Sequence, residues 1–157
     1  MIEVKVVKLG IDMNSKMPVI ILKEKEGEKS LPIWIGLFEA QAIALALGKV
    51  KPPRPLTHDL VQLLIEKLDG KLDRVVISDV INNTYYARLF IQRNQENLQV
   101  DSRPSDAIAL ALRFEAPIFI NETILKKLAL GRKPISDEEI EDFKKKLKDL
   151  KPKDLTG

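Results

Sequence analysis

The sequence predicts an α+β domain of mainly antiparallel strands with buried central helices, and three observations support this fold class. Ile2 to Ile11, Met17 to Leu22 and Leu31 to Ile35 are apolar runs separated by polar turns, which is typical of antiparallel strands. A second set of such runs follows residue 70. The hexapeptide Ala-Ile-Ala-Leu-Ala-Leu occurs at both 42–47 and 107–112, each time in a stretch with almost no polar face. Helices of this kind have to be covered on several sides, so we expect both at the centre of the fold.

The first half of the chain continues with two helices. The first is predicted over 37–48, after Gly36 ends the third strand, and Trp34 in that short apolar strand is predicted to lie in the core. After a proline-rich loop, Thr57 is a suitable N-cap for a second helix that ends near Asp69-Gly70. One face of the second helix carries Leu60, Leu63, Leu64 and Leu68.

The second half returns to strands. Asn82-Asn83 tolerates positive φ angles and suits a tight hairpin turn between two long strands. Pro104 marks the first turn of the second buried helix, and Arg113 near its end is interpreted as satisfying the carbonyl end of that helix. The elements predicted here are strands at 72–81, 84–92 and 98–100, the helix at 104–114, a brief strand at 117–120 and a short helix at 122–129.

Each half therefore holds three strands, a buried helix and a further helix, which suggests a duplicated β-β-β-α-α unit. The two hexapeptides begin 65 residues apart (107 − 42), but an Arg-Pro dipeptide follows the first buried helix and opens the second. A true repeat and a chance similarity are both open on this evidence. If the buried helices pack antiparallel, Arg54 should lie close to Arg103; if they pack parallel, the two arginines separate.

The composition limits what the protein can be. The 157 residues are 45% apolar and carry a net charge of +3, which suits one domain with a substantial core. We place that domain at 1–131 and assign 132–157 to an amphipathic C-terminal helix, which begins at Ser136, and a tail. Because the chain has no cysteine and a single histidine, His58, disulfides, thiol chemistry and Cys/His zinc sites are excluded.

Location and partner class follow from the same survey. The start of the chain is too charged for a signal peptide, and no apolar run approaches the ~18 residues of a membrane span, so we expect a cytoplasmic protein without a membrane partner. The mildly basic charge permits nucleic acid as a partner without requiring it. No Gly-x-x-x-x-Gly-Lys loop or Gly-x-Gly-x-x-Gly fingerprint is present, which excludes the usual nucleotide-dependent and dinucleotide-dependent enzymes.

Two predicted helix starts have the composition of phosphate sites. Arg103 and Ser105 stand at the start of one helix, and Arg54 and Thr57 stand at the start of the other. Unpaired backbone N–H groups at a helix start attract anions, and arginine binds phosphate with two parallel hydrogen bonds. If both starts face one cleft, they could bind a phosphodiester from two sides.

The acids and the histidine beside these starts are the candidates for catalysis. Asp59, Asp101 and Asp106 could hold a divalent cation through oxygen, and His58 could act as a general base or contact phosphate. Glu39 is one of only two polar residues between 37 and 47, and it either complements its own helix start or points into the site. Plainer interpretations are also open: the aspartates can complement helix dipoles or cap a turn, and the histidine can be a partly exposed polar residue.

Three segments carry a resemblance to a known family. They are LPIWIGLFEA at 31–40, RPLTHDL at 54–60 and DSRPSDAIALA at 101–111. In this order and spacing they resemble the signatures of the bifunctional nuclease domain family, and the likeness covers roughly residues 1–130. The resemblance implies an α+β domain, often oligomeric, that in plant members is associated with cleavage of both RNA and DNA. It carries the family's motif positions, without individual roles, onto Glu39, Arg54, Thr57, His58, Asp59, Asp101, Arg103, Ser105 and Asp106.

Our leading interpretation is a metal-assisted nuclease that hydrolyses phosphodiester bonds of RNA and DNA, with Mg²⁺ or Mn²⁺ as cofactor and a homodimer as the expected assembly. The rival is a non-enzymatic module that binds a phosphate or other anionic ligand, or an assembly protein whose buried helices pack across a dimer interface. In the nuclease interpretation the catalytic residues are Glu39, His58, Asp59 and Asp106, the phosphate-binding residues are Arg54, Thr57, Arg103 and Ser105, and the metal ligands are Asp59, Asp101 and Asp106.

Overall fold

The computed structural model describes residues 1–131, 145 and 147–149, and within them the chain forms one mainly antiparallel sheet with helices packed on it. The predicted α+β class is therefore confirmed. The strands are β1 (Ile2–Ile11), β2 (Pro18–Glu24), β3 (Ser30–Trp34), β4 (Gly70–Ile81), β5 (Thr84–Arg93), β6 (Glu96–Ser102), β7 (Ile118–Ile120) and β8 (Lys148–Asp149). The helices are α1 (Leu37–Leu47), α2 (Thr57–Lys67), α3 (Pro104–Phe114) and α4 (Glu122–Gly131). No helix in these ranges is long and apolar enough to cross a membrane.

The C-terminal prediction lies almost entirely outside the described residues. The amphipathic helix expected from Ser136 and the tail that follows it are covered only at 145 and 147–149. There, Lys148–Asp149 pairs with the end of β1 as the short strand β8. Leu147 beside it is buried against Val19 and Ile21 of β2.

The order of the strands is symmetric about β7. The sheet runs β3-β2-β1-β7-β4-β5-β6, so a three-stranded antiparallel meander lies on each side of β7. The strand β1 is antiparallel to β7, whereas β4 is parallel to it, and the two meanders therefore run in opposite senses. Each meander is followed in the chain by two helices. This is the arrangement that a duplicated β-β-β-α-α unit would have.

The two hexapeptide helices pack against each other on the sheet, as the sequence predicts. The middle of α3 is enclosed, with Ala107 and Ile108 both fully buried, and Ile43 in α1 is fully buried as well. One side of α1 is nevertheless open to solvent in this single chain. Phe38 is 82% exposed and Leu47 is 41% exposed, because no element among the described residues packs on that side of α1.

Trp34 is not in the core, contrary to prediction. In a strand, successive side chains face opposite sides of the sheet, and in β3 the inward positions belong to Leu31 and Ile33. Trp34 therefore faces outward at 44% exposure, where its indole Nε1 donates a hydrogen bond to Asp12 Oδ2 at 3.2 Å.

The helix α2 lies on the outside of the molecule, over α3 and β4. None of its residues is buried. Val61 on its inner side packs against the core, but the face that the sequence analysis identified as apolar is left open to solvent. The exposed leucines of this face and the adjoining N-cap are Leu56, Leu60, Leu63, Leu64 and Leu68.

Candidate active site

A cleft of about 790 Å³ lies between α1 and the first turns of α2 and α3. One part of its wall is apolar and includes the exposed side chains of Phe38 and Leu60. The other part is polar, and the residues that form it are Glu39, Gln41, Thr57, His58, Arg103, Asp106 and Arg113. Residues from all three candidate segments therefore meet in one place.

Asp106 is at the centre of the charged wall. Arg103 is the N-cap of α3 and Pro104 occupies its first turn, so Asp106 falls three residues after the cap and turns back toward Arg103. Its carboxylate accepts hydrogen bonds from Arg103 Nε at 2.8 Å and Nη2 at 3.2 Å. Burial opposes ionisation of Asp106, but these bonds and the contact with His58 outweigh it, so the pKa of Asp106 lies below its ordinary value.

His58 meets this carboxylate from the first turn of α2. Its Nε2 lies 2.8 Å from Asp106 Oδ1, and the imidazole is only 17% exposed. A carboxylate held ionised can only accept a hydrogen bond, so Nε2 has to carry the proton. In the neutral imidazole the other nitrogen, Nδ1, then has a free lone pair and can accept a proton. The contact with Asp106 thus leaves His58 one ring nitrogen that can accept a proton.

Glu39 points into the site rather than only complementing its own helix. Its Oε1 lies 2.8 Å from Arg103 Nη1, which links the first turn of α1 to the start of α3. Asp106 and then Glu39 hold the pKa of Arg103 above its usual value. Arg103 has five N–H donors, of which these contacts engage three, and its side chain is 64% exposed. It can therefore bind an anion in the cleft while keeping both carboxylates.

A second polar contact, between Arg113 and Asp59, lies about two turns of α3 beyond Asp106. Arg113 Nε donates to Asp59 Oδ1 at 2.8 Å, and Asp59 Oδ2 also accepts the backbone N–H of Leu56 at 3.0 Å. Burial opposes ionisation of Asp59, but the bond from Arg113 and the one from Leu56 keep its pKa below the ordinary value. Asp59 therefore has a structural partner and is not one of the residues that line the cleft.

Sequence reasoning missed Arg113 as part of this region. It had interpreted the residue as a cap for the carbonyl end of α3, and the side chain does bond Ala109 O at 2.9 Å. A usable signal was the spacing: Asp106 and Arg113 are seven residues apart in an otherwise apolar stretch, which places both on one face of a helix. A charged pair on one face of a buried helix needs partners from outside that helix.

Besides Asp59, three of the predicted site residues do not line the cleft. Arg54 is exposed in the loop before α2 and is not among the lining residues. The starts of α1 and α3 meet through Glu39 and Arg103. Ser105 is buried on the inner side of α3 at 7% exposure, and Asp101 is exposed on β6.

The predicted metal ligands are not assembled into one group. Asp106 is occupied by Arg103 and His58, Asp59 is occupied by Arg113, and Asp101 is exposed on an outer strand. Within residues 1–131, 145 and 147–149, no three histidine or acidic side chains are close enough together to hold a metal ion. The donor set of these residues does not fit a resident cation bound by protein groups alone.

The fold and the site define an α+β domain with an Asp-, His- and Arg-lined cleft between its buried helices. The chain belongs to the bifunctional nuclease domain family: the family model described as "Bifunctional nuclease domain" matches residues 20–132. This confirms the resemblance seen in the three sequence segments.

Individual relatives differ in how much of their length is shared. An "uncharacterized protein" of Mycobacterium tuberculosis (strain ATCC 25618 / H37Rv) is 42% identical over 162 residues, which cover 98% of this chain and 97% of that one. Bifunctional nuclease 1 of Oryza sativa subsp. japonica is 30% identical over 109 residues, 67% of this chain and 33% of the rice protein. Bifunctional nuclease 1 of Arabidopsis thaliana is 29% identical over 109 residues, covering 67% and 34% respectively. The match thus spans about a third of each plant protein.

Proposed function

We propose that this protein is a nuclease that hydrolyses phosphodiester bonds of RNA and DNA in the cleft between α1, α2 and α3. The observation that carries the proposal is the joining of His58, Asp106 and Arg103 by contacts of 2.8 Å in one open cleft. A general base and an anion-binding guanidinium side by side are what phosphodiester hydrolysis requires. Membership of the bifunctional nuclease domain family supports the same activity.

The residues would act as follows. Nδ1 of His58 takes a proton from a water molecule as the water oxygen bonds to phosphorus, and Asp106 stabilises the imidazolium that forms. The phosphorus–oxygen bond to the leaving nucleoside breaks, and the leaving oxygen takes a proton from solvent or from His58. Arg103 binds the non-bridging phosphate oxygens, whose negative charge rises in the transition state. Glu39 keeps Arg103 aligned, and Thr57 at the edge of the cleft can donate a hydrogen bond to phosphate.

The metal requirement stays a prediction, and we derive no step through a metal. If Mg²⁺ or Mn²⁺ takes part, phosphate oxygens of the substrate have to complete its ligands, because the residues that the structure describes do not bring three protein ligands together. Mg²⁺ is often held in this way, by one or two carboxylates and the substrate. The cytoplasmic location expected from the sequence likewise stays a prediction.

The purified full chain tests the proposal directly. We would incubate it with single-stranded RNA, single-stranded DNA and duplex DNA, each with Mg²⁺, Mn²⁺ or a chelator, beside a His58→Ala preparation made in parallel. Cleavage that is lost in His58→Ala supports the assignment. Equal cleavage by the two preparations would identify a contaminating nuclease, and no cleavage in any condition would remove the proposed activity.

A second function, self-assembly, is favoured by the surface of α2. An 11-residue helix without one buried residue, with Leu64 at 52% exposure and the C-cap Leu68 at 58%, leaves an apolar face that monomeric proteins rarely expose. Phe38 of α1 is also exposed, and it lines the same cleft as Leu56 and Leu60. We propose that a second copy of the chain covers this apolar face, in a homodimer related by a two-fold axis.

Light scattering on the full chain tests the assembly. We expect a dimer that Leu64→Glu converts to a monomer, since a carboxylate cannot be buried there without a partner. The matched control is Leu98→Glu on β6, an apolar side chain exposed outside α1 and α2. A monomeric parent, or a dimer that is unchanged in Leu64→Glu, would contradict this interface.

A further inference from the structure

Three helices meet at the guanidinium group of Arg113. The side chain belongs to α3, and its Nη1 donates to Ala109 O of the same helix at 2.9 Å and to Ala42 O of α1 at 3.1 Å. Its Nε donates to Asp59 of α2 at 2.8 Å. The side chain is only 7% exposed, so these bonds are largely shielded from water. A charge in such a place is stable only while its partners are present.

The helix α2 has few other attachments. None of its residues is buried, and apart from Val61 and Ile65 on its inner side, its apolar residues are left to solvent. The polar contacts to α3 therefore do much to fix the position of α2. Besides the Asp59 bond, Gln62 Nε2 donates to the backbone oxygen of Arg113 at 3.2 Å.

The first turn of α2 is attached to α3 at two points. Consecutive residues, His58 and Asp59, bond to Asp106 and Arg113 respectively. Asp106 and Arg113 are seven residues apart (113 − 106), which is about 10 Å along a helix. One contact alone would let the turn pivot about it, whereas two contacts this far apart define both its place and its direction.

We propose that Arg113 is a positioning residue: by holding Asp59, it fixes the neighbouring His58 in the orientation in which Nε2 bonds to Asp106. The catalytic consequence rests on the nuclease function proposed above, but the positioning itself does not. Arg113 also bonds to the backbone oxygens of Ala42 in α1 and Ala109 in α3, so the orientation of His58 depends on how these two helices pack. Loss of Arg113 should therefore change the environment of His58, although the two side chains bond to different carboxylates.

His58 is the only histidine in the chain, so its imidazole signals in ¹⁵N-labelled protein are unambiguous. In the parent we expect the Nε2–H tautomer when the ring is neutral. In Arg113→Gln and in Asp59→Asn we expect this preference to weaken toward a mixture of tautomers. Backbone amide exchange over α2 should rise roughly tenfold in both variants, because local opening of the helix becomes easier, with little change in the interior of α3.

Three comparisons keep the test specific. Arg113→Lys retains the charge but cannot form the same fork of bonds, so it should restore the parent tautomer only in part. The tautomer preference of His58 should weaken no further in the Asp59→Asn, Arg113→Gln double variant than in the more strongly affected single variant, because both substitutions remove the same Asp59–Arg113 contact. Lys127→Gln, which breaks the exposed ion pair with Asp79, is the matched control and should leave the His58 signals unchanged.

The outcomes separate the two proposals. If His58 keeps the parent tautomer in both Arg113→Gln and Asp59→Asn, or if the effects of the two substitutions add, the positioning role is wrong. Should Arg113→Gln not fold, Asp59→Asn gives the same decision, because Asn can still accept the Leu56 N–H bond. If the tautomer changes as expected but the parent cleaves no nucleic acid, the positioning role stands and the proposed nuclease function fails.

Discussion

His58 Nε2 lies 2.8 Å from Asp106 Oδ1, although 48 residues separate them in the chain. The contact joins the first turn of α2 to the first turn of α3, and it assigns different tasks to the two residues. Asp106 fixes the tautomer of the imidazole, and His58 keeps its other nitrogen able to accept a proton.

Asp106→Asn should lower the rate of single-stranded nucleic acid hydrolysis at least about tenfold, because a neutral amide no longer stabilises the imidazolium of His58. The melting temperature should change little, since Asn can still accept from Arg103 and the helix-dipole contribution of the lost charge is only ~0.3–1 kcal/mol. Hydrolysis rates and thermal melts on the same preparations measure both. The matched control is Glu96→Gln, which alters an exposed carboxylate on β6. An Asp106→Asn protein that cleaves as fast as the parent would exclude this carboxylate from the reaction.

Arg103→Ala should weaken the binding of single-stranded nucleic acid and reduce its salt dependence, because each phosphate contact contributes a slope of about −0.7 in log K against log salt. Arg54→Ala should have a smaller effect. Both arginines were predicted to bind phosphate, but only Arg103 lines the cleft. Fluorescence anisotropy at several salt concentrations measures both slopes. Equal losses from the two substitutions would mean that the bound strand extends over the loop before α2.

Local rules were sufficient for much of the fold. Asn82 and Asn83 adopt φ angles of 51° and 63°, as the predicted tight turn between β4 and β5 requires. Pro104 placed the start of α3 correctly, because proline is favoured in the first turn of a helix and excluded from its interior. These features depend on one or two neighbouring residues, and a sequence displays them directly.

Features that depend on distant residues were not predictable in the same way. The alternation in β3 is clear, but which of its two faces is covered depends on elements elsewhere, and Trp34 was assigned to the wrong face. The sequence indicated only that His58 and Asp106 could share a cleft, and it did not indicate that they are in contact. Arg54 fits a phosphate site by composition, yet its neighbours Pro55 and Leu56 line the cleft and Arg54 itself does not. The role of Arg113 depends on a carboxylate 54 positions earlier.

Mg²⁺ or Mn²⁺ should change the rate of hydrolysis without stabilising the free protein, because the described residues do not assemble a three-ligand site. A resident cation would raise the melting temperature in proportion to its occupancy, whereas a cation that arrives with the substrate phosphate would not. Thermal melts with each metal and with a chelator, in the presence and absence of an oligonucleotide, distinguish the cases. Strong stabilisation of the free chain by metal would overturn this expectation and revive the predicted set Asp59, Asp101 and Asp106.

The free energy of unfolding should decrease as the pH is lowered below about 5, in part because two carboxyl groups at the site, those of Asp59 and Asp106, have lowered pKa values in the folded state. The pKa values of Asp59 and Asp106 both lie below the ordinary value of 3.8. Burial opposes ionisation in each case, but hydrogen bonds outweigh it. Asp59 is bonded by Arg113, and Asp106 is bonded by Arg103 and His58. A folded-state pKa below the unfolded one contributes stability that is present above 3.8 and is lost as the pH falls through the folded-state value. Urea unfolding at several pH values measures the slope. Asp59→Asn should reduce this slope, and the Asp59→Asn, Asp106→Asn double variant should reduce it further. If the double variant keeps the full slope of the parent, the acid-sensitive groups lie elsewhere in the chain.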